Sequence, residues 1–256
     1  MRLFGRSPGL TLLLISMLMA SGCSLVPKQI DNTKNWSASK FYAEGKSALT
    51  EGDFEQAIKY FDQLEARFPF GKYAQQAQVE TAYAYFKYDE PESALAAADR
   101  FIKLHPRHPN VDYIYYLKGL VNFEAGKDLV SKYIPQDPTQ RDPGAARTSF
   151  DDFSVLVRKF PESKYAKDSR QRMLFLRNNL AEYEIHVAKY YMRRGAYIAA
   201  SNRAKYVVEN YQKTTAVPKA LIIMARSYKF MGLDDLSADA VRVLKANYPD
   251  QGKVPQ

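Results

Sequence analysis

The hydrophobic and polar positions of the chain fall into helix-like segments, and the punctuation between them repeats. Four segments run into an aromatic residue or histidine followed by proline, at Phe68-Pro69, His105-Pro106, Phe160-Pro161 and Tyr248-Pro249. Tyr211-Gln212 holds a fifth such place without the proline, and successive landmarks are 37, 55, 51 and 37 residues apart. Counting 24 positions back from the landmark finds a small residue in four units, Gly45, Ala82, Ala188 and Ala225. In the third unit the count lands on Asp137, but that unit is 18 residues longer, and adding those 18 restores the frame at Gly119. An insertion between its two helices is therefore expected. Twelve positions before each landmark stand Ala57, Ala94, Ser149, Ala200 and Ser237; eight before stand Phe61, Ala98, Phe153, Ala204 and Val241.

Small residues let two helices approach closely, and a proline cannot continue the helix it meets. Gly52, Gly126, Gly195 and Gly232 lie between the paired segments, where a tight turn favours a residue without Cβ; the second unit has Asp89 there instead. This is the tetratricopeptide pattern, with a basic period of about 34 residues. The expected fold is all-α, a right-handed superhelix of five tetratricopeptide-like helix pairs. The helices are placed at about 38–50, 53–67, 73–88, 91–104, 110–126, 143–159, 164–192, 195–211, 216–230 and 234–247. Amino-terminal repeats fill 38–126, a proline-rich inserted loop 127–142, the remaining repeats 143–249, and a polar tail 250–256. Aromatics at recurring positions account for 19 Tyr and 14 Phe beside one Trp. Stacked pairs cover one another's apolar faces and expose a long groove lined mainly by the first helix of each pair.

Residues 1–22 read as a secretory signal, with Arg2 and Arg6 before an apolar stretch from Leu10 to Ala20. Those 11 residues are too few to span a bilayer, which takes about 20. The stretch ends at Ala20-Ser21-Gly22-Cys23, similar to a bacterial lipobox, and Cys23 is the only cysteine. Ala20 stands where that box usually has Leu, and Ala20-x-Gly22 would equally serve an ordinary signal peptidase. Lipidation of Cys23 is the expectation. Residues 23–37 then form a tether, and Ser24 in place of Asp after the cysteine, by resemblance to sorted bacterial lipoproteins, favours the outer membrane. The chain carries a net charge of +9, with Lys and Arg spread over the helices and not gathered in runs, which favours acidic protein partners or headgroups over nucleic acid.

A lone cysteine excludes an internal disulfide and a multi-cysteine zinc site. His105 and His108 fall in a proline-flanked turn without a carboxylate cluster, and His186 is alone on a long helix, so no metal and no cofactor are expected. Neither G-x-S-x-G nor H-E-x-x-H occurs, and five repeats leave no room for a catalytic domain. The expectation is a non-enzyme with no catalytic residue. Two segments exceed what a scaffold needs. Phe68-Pro69-Phe70-Gly71-Lys72-Tyr73 gathers three aromatics in one turn, with Lys103 near the end of the next pair. Arg193-Arg194-Gly195-Ala196-Tyr197 precedes Asn202-Arg203, and Arg203 offers a fork suited to a partner carboxylate.

The lipobox, the five repeats, the Phe-Pro-Phe-Gly turn, the His-Pro-Asn-Val-Asp-Tyr run at 108–113, Arg141-Asp142-Pro143 and Arg194-Gly195-Ala196-Tyr197 together resemble the BamD (ComL-type) family of outer-membrane assembly lipoproteins. The resemblance covers essentially the whole chain after the signal. It implies a non-enzymatic scaffold on the periplasmic face of the outer membrane, held by a lipid anchor. Its implied partners are the POTRA modules of BamA, a BamC-like lipoprotein and unfolded outer-membrane β-barrel proteins, with no nucleic acid. It further implies that Phe68, Phe70, Tyr73 and Lys103 take the C-terminal signal of barrel substrates, and that Arg194 and Arg203 meet BamA. The competing reading is a generic envelope repeat lipoprotein coordinating division or peptidoglycan factors.

Overall fold

The structure, a computed structural model, describes residues 32–125, 139 and 142–251. Cys23, the signal and most of the expected tether and inserted loop lie outside the described residues. A short turn closes at Thr33–Trp36, within a unit that ends at Ser37. The helical body begins at Ala38.

Ten α-helices are found among the described residues, all within about two residues of the positions the spacing gives. They are α1 Ala38–Glu51, α2 Phe54–Arg67, α3 Lys72–Lys87, α4 Pro91–Leu104, α5 Val111–Ala125, α6 Gly144–Lys159, α7 Ala166–Arg193, α8 Tyr197–Asn210, α9 Ala216–Phe230 and α10 Asp234–Asn247, then a 3-10 turn at Pro249–Gln251. Each packs on its predecessor and successor, forming five antiparallel pairs. First helices also touch one another across the pairs, α1 on α3, α3 on α5 and α7 on α9. The core is a string of inter-helix layers. One cluster centres on Phe101, Ile114 and Leu117, another on Ile185, Val207 and Leu221.

The five landmarks share one backbone geometry. Phe68 (φ −134°, ψ 65°), His105 (−131°, 56°), Phe160 (−132°, 63°), Tyr211 (−118°, 42°) and Tyr248 (−138°, 63°) leave the helix while their N–H still donates to the carbonyl four residues back. A following proline disfavours helical φ/ψ at the preceding residue. Tyr211 adopts the same form before Gln212, so the packing of the aromatic also holds it. Helix starts are equally local. Asp53 caps α2 by accepting from Gln56 N at 3.0 Å, and Pro91 opens α4 where its missing N–H costs nothing.

The turn between paired helices needs a left-handed residue. Gly52, Gly195 and Gly232 have φ of 83°, 69° and 72°, and Asp89 takes the same place at 64°. The second unit thus keeps the turn and changes only the residue, using one of the few side chains that tolerate this region.

The small-residue frame has a steric reason. In units one and three the ring of Phe61 or Phe153 lies over Gly45 or Gly119, and a methyl built on either glycine would overlap that ring. Where the facing position is Ala98, Ala204 or Val241, the small residue is alanine (Ala82, Ala188, Ala225). Glycine stands where phenylalanine faces it. Serines at the third frame position add a bond, since Ser149 Oγ donates to Gly119 O and Ser237 Oγ to Ala225 O, both at 2.9 Å.

A tyrosine-lined face as the candidate functional site

The first helices carry a repeated tyrosine device built on the same frame. Three residues before Gly45 stands Tyr42, and three before Gly119 stands Tyr116. Each ring packs on the phenylalanine of its own pair, Tyr42 on Phe61 at 6.1 Å and Tyr116 on Phe153 at 5.9 Å between centroids. Each hydroxyl then donates to a carboxylate on the next first helix, Tyr42 to Glu80 at 3.4 Å and Tyr116 to Asp168 at 2.6 Å. A cation completes each site, Lys46 on Glu80 at 2.8 Å and Arg172 on Asp168 at 2.6 Å. These bonds tie neighbouring pairs together and fix the two rings.

The aromatic run extends along this face. Tyr73 lies 5.7 Å from Tyr42, Tyr165 stacks on Tyr116 at 4.8 Å and 17° and lies 5.5 Å from Tyr113, and Phe123 meets Phe175 at 5.8 Å beneath Arg172. Between α3, α5 and the start of α7 opens a cavity of about 610 Å³, lined by Tyr83, Tyr113 and Tyr165 with Glu80, Asp112, Glu162 and Lys164. Three carboxylates against one lysine make this recess acidic. It suits aromatic and aliphatic side chains and peptide N–H groups better than a terminal carboxylate.

Burial keeps Tyr42 and Tyr113 protonated. Desolvation, with the Glu80 carboxylate beside it, pushes Tyr42 up to about 12. Burial also pushes Tyr113 far up, helped by Tyr83 and Glu80. For Asp168 burial works upward, but bonds from Tyr116 and Arg172 outweigh it and hold the carboxyl below its ordinary value. Folded Tyr42 and Tyr113 sit above the unfolded value of about 10, so the stabilisation from Tyr42 is complete below that pH and lost as pH climbs through 12. In an alkaline titration, tyrosinate absorbance from these buried phenols should appear together with loss of the helical circular dichroism signal. Ionisation of all 19 tyrosines in one ordinary step, with the helices intact, would contradict this.

The expected substrate residues are only partly gathered. Phe68 ends α2 with its ring 6.5 Å from Phe41, and Tyr73 joins the belt under Lys72, whose Nζ is 5.1 Å from its ring. Phe70 is 90% exposed, on the turn before Gly71, whose φ of 100° a side chain would strain. Lys103 is exposed in the last turn of α4, a second helix, and no hydrogen bond, ion pair or cation–π contact joins it to the three aromatics.

The expected partner residues stand apart as well. Arg194 ends α7, where its N–H donates to Tyr190 O and Tyr191 O at 3.2 and 3.1 Å and its guanidinium lies 5.4 Å from the Tyr190 ring. Arg203 is engaged inside the chain. Its Nη1 donates to Glu184 Oε2 at 3.1 Å, while Arg147 Nη2 donates to Oε1 at 3.2 Å. Glu184 is 1% exposed and both arginines are about half exposed, so Arg203 keeps part of its fork for another acceptor. No sequence motif marks Glu184, because its two partners come from different helices.

The histidines make contacts within the chain. His105 Nε2 pairs with Gln78 Oε1 at 2.9 Å, both His105 and His108 pack 5.1 Å from Phe101, and His186 meets Thr139 at 2.9 Å. No cluster of three potential metal ligands exists among the described residues. Nor is any described helix long and apolar enough to cross a membrane.

Antiparallel helix pairs stacked in register, with an aromatic first-helix face, define a tetratricopeptide-like α-solenoid, a class whose repeats build extended binding surfaces. Within that class the chain belongs to the family described as YfiO: Outer membrane lipoprotein, whose profile matches residues 34–244. It is 46% identical over 242 residues to the outer membrane protein assembly factor BamD of Neisseria meningitidis serogroup B (strain ATCC BAA-335 / MC58), covering 93% of this chain and 91% of that one. The BamD of Vibrio cholerae serotype O1 (strain ATCC 39315 / El Tor Inaba N16961) is 35% identical over 234 residues, covering 91% and 96%. Among solved structures, MamA aligns with a TM-score of 0.38 at 13% identity, covering 82% of this chain and 96% of that chain.

Proposed function

We propose that this chain is a non-enzymatic scaffold of outer-membrane β-barrel assembly, held at the periplasmic face of the outer membrane by acylation of Cys23. Its first-helix face receives the C-terminal signal of unfolded barrel proteins, and its carboxyl-terminal repeats dock the POTRA modules of BamA through Arg194 and the free part of the Arg203 fork. A BamC-like lipoprotein is a further partner.

The observation that carries this reading is the fixed aromatic face. Tyr42, Tyr73, Tyr113, Tyr116 and Tyr165 are tied by ring contacts, and Tyr42 and Tyr116 also by hydrogen bonds, so a bound chain meets preformed apolar faces at little ordering cost. The recess takes aromatic side chains. The cation for the terminal carboxylate is Lys103, exposed at the end of α4, and Phe70 supplies an exposed ring on the turn before α3.

Crosslinking to a peptide copying a barrel protein's C-terminal segment tests the groove. Phe70→Ala with Lys103→Glu should reduce the yield several-fold, because both residues are exposed and their loss leaves the belt intact. Equal yield would remove Phe70 and Lys103 from the substrate path.

A further inference from the structure

Away from the tyrosine face, a cavity of about 220 Å³ opens among α6, α7 and the end of α8. Phe150, Tyr206 and Tyr211 supply aromatic walls, the two tyrosines edge to face at 5.8 Å and 76°. Arg147 and Arg177 supply the charge. Arg177 Nε is buried with no acceptor, the one such side-chain atom among the described residues, and its guanidinium makes no hydrogen bond or ion pair there. Arg147 spends one Nη on Glu184. Asp151 also lines the cavity, yet forms no ion pair with either arginine.

Folded proteins leave very few buried donors unmade, and a charged donor is the costliest to leave so. A guanidinium presents its Nε–H and Nη–H as a planar fork matched to a carboxylate. We propose that this cavity docks the carboxylate side chain of a protein partner, an exposed Glu or Asp whose apolar neighbour lies against Phe150 and Tyr206. The cavity is smaller than the roughly 300–1,000 Å³ of small-molecule sites, and its size suits one acidic side chain and part of the next. It adjoins the surface proposed above for a partner, since Arg147 and Arg203 grip the two oxygens of the same Glu184. The inference goes beyond the Arg194 and Arg203 reading and does not require BamA to be the occupant.

The test follows the Arg177 Nε–H resonance in the full-length chain, labelled with ¹⁵N-arginine in detergent. Three probes are titrated: acetyl-Gly-Leu-Glu-Phe-Gly-amide, its glutamine counterpart, and the glutamine peptide with a free carboxyl end. The glutamate peptide should shift the resonance saturably and the glutamine amide should not. Arg177→Met should weaken binding of the glutamate peptide at least about tenfold, with the circular dichroism spectrum kept and the melting temperature equal or higher. Arg177→Lys, which keeps the charge and loses the fork, should weaken it as well. Equal shifts from both amides, a shift from the free-carboxyl peptide alone, or no shift from any would overturn the proposal.

Discussion

Phe153→Ala should destabilise the chain by about 3–5 kcal/mol, and the effect of Gly119→Ala should reverse sign in that background. Phe153 is fully buried, and its ring occupies the space a Cβ on Gly119 would need. Gly119→Ala alone forces the ring to move and costs about 1–3 kcal/mol of overpacking, less up to about 1 kcal/mol of helix propensity regained. Once the ring is gone, only the propensity gain remains, so the second substitution stabilises. Urea unfolding of the four proteins in a double-mutant cycle gives the coupling. Additive effects would mean that the frame is a sequence coincidence and not a steric lock.

The second large effect concerns Glu184. Replacing both Arg147 and Arg203 by alanine leaves a carboxylate buried without a partner, at a cost of about 3–5 kcal/mol. Glu184→Gln should cost less, about 1–2 kcal/mol, because the half-exposed arginines can turn to water. Equal losses from the two variants would show that Glu184 is not held by these two arginines. Any binding study with Arg203 replaced must take this internal role into account.

What was legible in the sequence is what depends on local shape. The aromatic-proline landmarks set helix ends because the backbone leaves the helix at Phe68, His105 and Phe160 for local steric reasons. The glycine at 119 marked its pair because only a residue without Cβ fits under a phenylalanine 34 positions later, even across an insertion. Even Asp89, an apparent exception, held its place in the turn. The site was less legible. Glu80 and Asp168 become partners of Tyr42 and Tyr116 only when the rotation of each first helix about its axis is known. The recurrence of tyrosine three places before glycine was the one signal that would have found them. Lys103 is grouped with Phe70 by its place near the end of the next pair and by the family resemblance, but it lies on a second helix while Tyr73 belongs to the first-helix face.

Purification of the full-length chain from outer membranes, with mass spectrometry of what accompanies it, bears most directly on the claim that it is a docking scaffold of barrel assembly. The account predicts recovery of BamA in near-equal amount, and its loss with Arg194→Glu while the chain stays helical and membrane-bound. Recovery of division or peptidoglycan factors without BamA would contradict it.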